Sequence, residues 1–229
     1  MPIYRINNKD ILFVHIPKTG GTSIHAWLSR FGESTLWSPT PDVALNGLSL
    51  PRPLPCTPQH LMYSYIVEHL AGHRFDYVFS IVRDPLDRMI SEYKFLKMKE
   101  RDHGIRCCEP FDEWVEGLGH RISSDRWSGD NHWRPQHEFL DPLVETFRFE
   151  DSMERIASAI GEKIGIDITQ LQVPREMHGD DFADCVTVTE RSVSIIEDVY
   201  ASDYERLGYG RNSLRPAVSG WRQLARQRG

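Results

Sequence analysis

The chain has 229 residues, 40% hydrophobic and 26% charged, with a formal net charge of −6. These values describe one globular domain with a substantial core rather than a disordered chain, and the acidic balance argues against non-specific nucleic-acid binding. No run approaches the ~20 apolar residues of a transmembrane helix and no signal peptide opens the sequence, so a cytoplasmic protein without membrane attachment is expected.

The first apolar run, Asp10 to His15, is continuous and of strand length, as for a strand buried on both faces. It leads into the turn Pro17-Lys18-Thr19-Gly20-Gly21-Thr22-Ser23, and Ile24, Trp27, Leu28 and Phe31 then follow helical spacing. Residues 38–58, rich in Pro, Ser and Thr, read as an irregular insertion or substrate loop. A second buried strand, Tyr77 to Val82, ends at Arg83; Asp84 stands at an N-cap position and Pro85 at the first helical position. A third strand is expected over Leu143 to Phe149, with a capping-box-like start at Asp151-x-x-Glu154 and a helix ending near Gly165. A last helix, from Val193 to Leu207, stops at Gly208. The domain so defined covers residues 1–210, and residues 211–229 form a basic tail with five arginines and no acid. Strands alternating with helices predict an α/β domain with a mainly parallel sheet, whose ligands bind at the carboxyl ends of the strands. Lys18 and Arg83 both belong there.

The turn after the first strand has the makings of an anion cradle. Glycines let the backbone approach a phosphate, the helix start adds a favourable dipole, Lys18 supplies a cation, and Thr19, Thr22 and Ser23 supply hydroxyls. The order is not that of a Walker A loop, where the lysine follows the glycines. The four cysteines, Cys56, Cys107, Cys108 and Cys185, lack metal-binding spacing, so free thiols and no metal site are expected.

The run Phe13 to Ser23 closely resembles the 5′-phosphosulfate loop of the Golgi-type carbohydrate sulfotransferases of the heparan and chondroitin kind, in the form of a soluble, bacterial-like member. Val82-Arg83-Asp84-Pro85 through Ser91-Glu92-Tyr93 resembles that family's 3′-phosphate site. The segment Asn131 to His137, the phrase Phe147 to Asp151 and the helix around Tyr200 and Tyr204 are similar to it more weakly. The resemblance implies a P-loop-like, nucleoside-kinase-like three-layer domain that binds 3′-phosphoadenosine-5′-phosphosulfate (PAPS) and releases adenosine 3′,5′-bisphosphate (PAP). It implies that Pro17 to Ser23, Arg83 and Ser91 hold the cofactor and that Lys18 stabilises the leaving group. No metal is required.

Sulfonate transfer to a hydroxyl also needs a base. His60 lies between the two cofactor motifs, where heparan-type relatives carry a catalytic histidine, and is the chosen residue; His132, His137 and a glutamate remain open. His15 is expected to be packed at the strand end, and His25 to be a surface residue. His132, Trp133, Arg134 and His137 are candidates for acceptor binding. The tryptophans 114, 127 and 133 with arginines 121, 126 and 134 suit either an anionic sugar or plain core packing. The acceptor expected is a carbohydrate or another hydroxylated small molecule. A nucleotide-dependent kinase and a catalytically inactive PAP(S)-binding protein are the alternatives.

Overall fold

The computed structural model describes residues 1–38, 40, 48, 50–103, 109–125, 127–166 and 186–211. Cys107, Cys108, Cys185, Arg126 and all of the basic tail beyond Arg211 lie outside them. In chain order the elements are β1 (Ile3–Ile6), β2 (Lys9–Val14), α1 (Gly21–Leu28), β3 (Glu33–Thr35), α2 (Tyr63–His69), β4 (Tyr77–Val82), α3 (Pro85–His103), α4 (Phe111–Glu116), α5 (Leu118–Ser124), β5 (Glu145–Arg148), α6 (Met153–Ile164), α7 (Glu190–Val199) and α8 (Ala201–Arg206). The described residues form two compact units, one up to Arg83 and from Trp127 to Ile166, the other from Asp84 to Asp125 and from Val186 to Arg211.

Among the described residues the first unit holds a five-stranded sheet in the order β3-β1-β2-β4-β5. β2 pairs with β4 and β4 with β5 in parallel, whereas β1 is antiparallel to both β2 and β3. The sheet is therefore mixed, only partly parallel, and this corrects the expectation of a mainly parallel one. The cause is local. Asn7 and Asn8 join β1 to β2 with φ of 50° and 60°, the left-handed pair that a two-residue hairpin turn requires and that asparagine tolerates well.

One face of this sheet presents Tyr4 and Ile6, Ile11 and Phe13, and Phe79 and Ile81 at the period of two that a strand imposes. Against it lie Ile24, Trp27 and Leu28 of α1 and Ile156, Ala157, Ile160 and Ile164 of α6. Leu12, Val14, Ser80 and Val82, on the other face, are buried as well, which is why both strands read as continuous apolar runs. Trp27 is fully buried, and truncating such a side chain to alanine costs about 3–5 kcal/mol. Ser152, one residue after the position expected, caps α6, and Gly165 ends it in the left-handed region at φ 78°.

In the second unit Asp84 Oδ1 accepts from the Asp87 amide, so Asp84 caps α3 as the sequence implied. Tyr93 of α3 meets Phe111 and Trp114 of α4 with ring centroids 5.2 and 5.6 Å apart. The helix expected from Val193 to Leu207 is two, α7 and α8, broken at Tyr200; α7 starts with a capping box made by Thr189 and Ser192. No helix among the described residues is long and apolar enough to cross a membrane.

Candidate active site

The loop Pro17 to Ser23 joins β2 to α1, and Arg83 follows β4, so the two sit at the carboxyl ends of neighbouring parallel strands. Lys18 has φ 70° and Gly20 φ 88°. Between them the fully buried Thr19 donates its hydroxyl to the Ile16 carbonyl at 2.8 Å. Gly20 lies against Phe149 and Met153, where a Cβ would come within 3.0 and 2.7 Å of their side chains. The α1 start has no acidic residue in its first turn, and its first N–H groups have no acceptor inside the helix. Pro17 and Ser23 are buried, and Thr22 is exposed.

Arg83 is held from three sides. Its amide donates to Gln136 Oε1 at 2.9 Å, and Gln136 Nε2 donates back to the Arg83 carbonyl at 2.7 Å. Its guanidinium donates to the Lys18 carbonyl at 3.3 Å and lies 4.4 Å from the centre of the Phe149 ring. Arg83 thus braces the loop that carries Lys18, and Gln136, fully buried, aims it. Ser91 lies half-buried on α3, in the second unit.

His60 ends a 3₁₀ turn, Pro58–His60, and is 4% exposed. Its Nδ1 lies 2.8 Å from Asp130 Oδ2 and 3.1 Å from Thr57 Oγ1. Asp130 is fastened in turn, accepting the Thr57 amide on Oδ1 and the Thr57 hydroxyl on Oδ2, each at 2.7 Å. Asn131 donates its amide to the His60 carbonyl at 2.8 Å. Gly129, Asp130 and Asn131 reach these positions through three successive left-handed residues, φ 60°, 57° and 64°. Glycine, aspartate and asparagine are the residues that enter that region most readily, so this stretch of sequence can hold the turn. Burial lowers the His60 pKa to about 4 against the opposing pull of Asp130, so the ring is neutral near pH 7. Burial raises the Asp130 carboxyl, but hydrogen bonds from His60 and Thr57 outweigh it and bring the carboxyl to about 2.

His15 connects this group to the loop. Its ring centre is 5.1 Å from that of His60, and a Cβ on Gly21 would fall 2.0 Å from its Nε2. Its buried Nδ1 has no hydrogen-bond partner among the described residues, and burial keeps the ring neutral. His15 is packed, as expected. His25 is not a surface residue: it is half-buried, bonded through Nδ1 to the Tyr4 hydroxyl at 2.9 Å and stacked on Trp37 at 3.9 Å.

His132 meets the His60 ring edge-on at 4.8 Å. Trp133 lies against Gly129, 3.0 Å from where a Cβ would stand. The buried Arg134 donates from Nε to Asn131 Oδ1 at 2.9 Å, pairs with Glu138 and lies 5.7 Å from the Trp127 ring centre. These contacts engage its guanidinium within the fold. His137 is half-buried in the 3₁₀ turn Gln136–Phe139. Among the described residues, His60, Asp130 and His132 are the group whose ligand atoms come within 4.8 Å of one another; the His60–Asp130 hydrogen bond is one of the contacts that join them. Cys56 is a buried free thiol, pushed up to about 12 by burial.

Thr57, Asp130, Asn131, Gln136 and Phe149 were not singled out from the sequence as site residues. Gly129-Asp130-Asn131 announces a turn by composition, but nothing in its spacing points across 70 residues to His60.

A cation on a glycine turn, a second cation braced against it, an acid-free helix start and hydroxyls suit a ligand carrying phosphate groups. Residues 3–210 match the Sulfotransferase family, and the chain belongs to it. It is accordingly an enzyme of sulfonate transfer in the general sense. No curated protein and no solved structure matches the chain.

Proposed function

We propose that the protein is a PAPS-dependent O-sulfotransferase of the carbohydrate branch, with a P-loop-like nucleotide site. The observation that carries this reading is the hydrogen bond from Arg83 to the Lys18 carbonyl, which ties two cations together at the ends of paired parallel strands. PAPS, when bound, supplies the sulfonate group. Lys18, the backbone of Gly20 and Gly21 and the hydroxyls of Thr22 and Ser23 would hold its 5′ end, and Arg83 its 3′-phosphate, a group that suits a planar guanidinium fork. The family resemblance adds Pro17, Thr19 and Ser91 to that set.

His60 acts as the base. His60 would take the proton of the acceptor hydroxyl, PAPS would supply the sulfonate to that oxygen, and its phosphate group would leave with the electron pair of the broken S–O bond. Lys18 stabilises the charge that collects there. A positioned base contributes about 10²–10⁴-fold to such a step. The acceptor is a carbohydrate or a comparable hydroxylated small molecule, met by His132, Trp133 and His137; the engaged guanidinium of Arg134 serves mainly to hold Asn131.

Calorimetric titration with PAP, against ATP with magnesium, tests the reading. Metal-independent binding that requires the 3′-phosphate is expected. Preference for magnesium-ATP would transfer the assignment to a kinase, and PAP binding with no PAPS turnover on any hydroxyl compound would leave a binding protein.

A further inference from the structure

We infer that Asp130 is the positioning residue of the base: it holds the His60 proton on Nδ1 and leaves the Nε2 lone pair as the atom that receives the acceptor's proton. The inference rests on the reading of His60 as base.

The direction of each bond follows from donors that cannot be reversed. The Thr57 amide can only donate, and it donates to Asp130 Oδ1. An ionised carboxylate can only accept, so the 2.8 Å contact between Asp130 Oδ2 and His60 Nδ1 needs the proton on Nδ1. A neutral imidazole carries one N–H, and Nε2 is therefore basic. The His60 backbone is tied to the same left-handed turn, because Asn131 donates to its carbonyl.

The same geometry sets what an amide would do in place of the carboxylate. In Asp130→Asn the Thr57 amide still requires an acceptor, so the new side chain turns its oxygen there. Its NH₂ then faces His60 Nδ1 as a donor. The imidazole has to accept at Nδ1, its proton moves to Nε2, and the base is switched off with the fold intact. Asparagine suits the left-handed backbone at this position at least as well as aspartate.

Ring ¹⁵N NMR of the full chain, with His60→Ala for assignment, reads the tautomer directly. In the unaltered protein His60 should be neutral with its proton on Nδ1 between pH 6 and 8. In Asp130→Asn the proton should stand on Nε2. PAP affinity should stay within about twofold of the parent, while PAP release from PAPS, in the presence of a panel of mono- and oligosaccharides, should fall by about 10²–10⁴-fold. A His60 proton on Nε2 in the unaltered chain overturns the inference without any variant being made. So does an Asp130→Asn protein with unmoved tautomer and unmoved turnover. A shifted tautomer with undiminished turnover would instead remove His60 as base, and the inference with it. Failure of the unaltered chain to bind PAP would overturn the donor assignment and leave the tautomer result standing as a structural fact.

Discussion

Gly21→Ala is the sharpest test of the architecture around the loop, because it needs no ligand. The new Cβ would fall 2.0 Å from His15 Nε2 and 2.1 Å from Cδ2. Nonbonded atoms settle at about 3.5 Å or more, so the ring has to retreat by about 1.5 Å. It has little room to do so, being 6% exposed with Phe13, Trp37 and His60 rings 5.1 to 5.4 Å from its centre. Overpacking of this kind costs about 1–3 kcal/mol, and in a chain of this size each kcal/mol lowers the melting temperature by about 2–4 °C. A fall of about 2–12 °C is expected by calorimetry or circular dichroism, together with weaker PAP binding. Gly72→Ala is the control: its Cβ would meet nothing within 4 Å, so it should stay within about 0.5 kcal/mol of the parent. His15→Ala combined with Gly21→Ala should cost less than the sum of the two single changes. A Gly21→Ala protein that melts with the parent would refute the placing of His15 against the loop.

Lys18→Ala should lower turnover by about 10²–10³-fold, the size expected for one transition-state donor, and steady-state PAP release measures it; near-normal turnover would remove the role. Arg83→Ala should raise the PAP dissociation constant by about 10- to 150-fold, the equivalent of a charged hydrogen bond worth about 1.5–3 kcal/mol, and an unchanged value in calorimetry would take Arg83 out of the site. Stability should fall as pH drops from about 6.5 towards 4. Burial lowers His60 and His25 to about 4, while unfolded histidine titrates near 6.5, so in that window the unfolded chain takes up protons that the folded one refuses. The contribution is complete above about 6.5 and is lost towards 4, at up to about 1.4 kcal/mol per pH unit for His60 and less for the half-buried His25. Urea unfolding at pH 7, 6 and 5 measures this, and a flat profile would contradict the burial of both rings.

The parts of the fold legible in the sequence are those governed by local rules. β4 occupies the predicted residues, β2 starts and ends one residue early, and β5 falls inside the run assigned to it, because buried strands are apolar at every position. β1 and β3 leave little trace in the sequence because they are short and partly polar, and the Asn7-Asn8 turn is the one local mark of the hairpin that joins β1 to β2. Tyr200 splits the last helix without glycine or proline to mark it. In the site, glycines and cations at strand ends were visible because an anion loop is contiguous. The bonds that aim those groups were not, because Gln136 to Arg83 and Asp130 to His60 join segments 53 and 70 residues apart, and such pairs leave no periodic trace in one sequence.

The bond from the Thr19 hydroxyl to the Ile16 carbonyl has a kinetic consequence. It closes the loop on itself, so less of the loop's shape is left for an arriving anion to order. Capture then carries little ordering cost, and its rate depends on diffusion and on attraction between opposite charges, which salt weakens. On the proposed reading, a receptacle formed in advance would treat donor and spent product alike wherever they share the same phosphate, so PAP would compete with PAPS for entry.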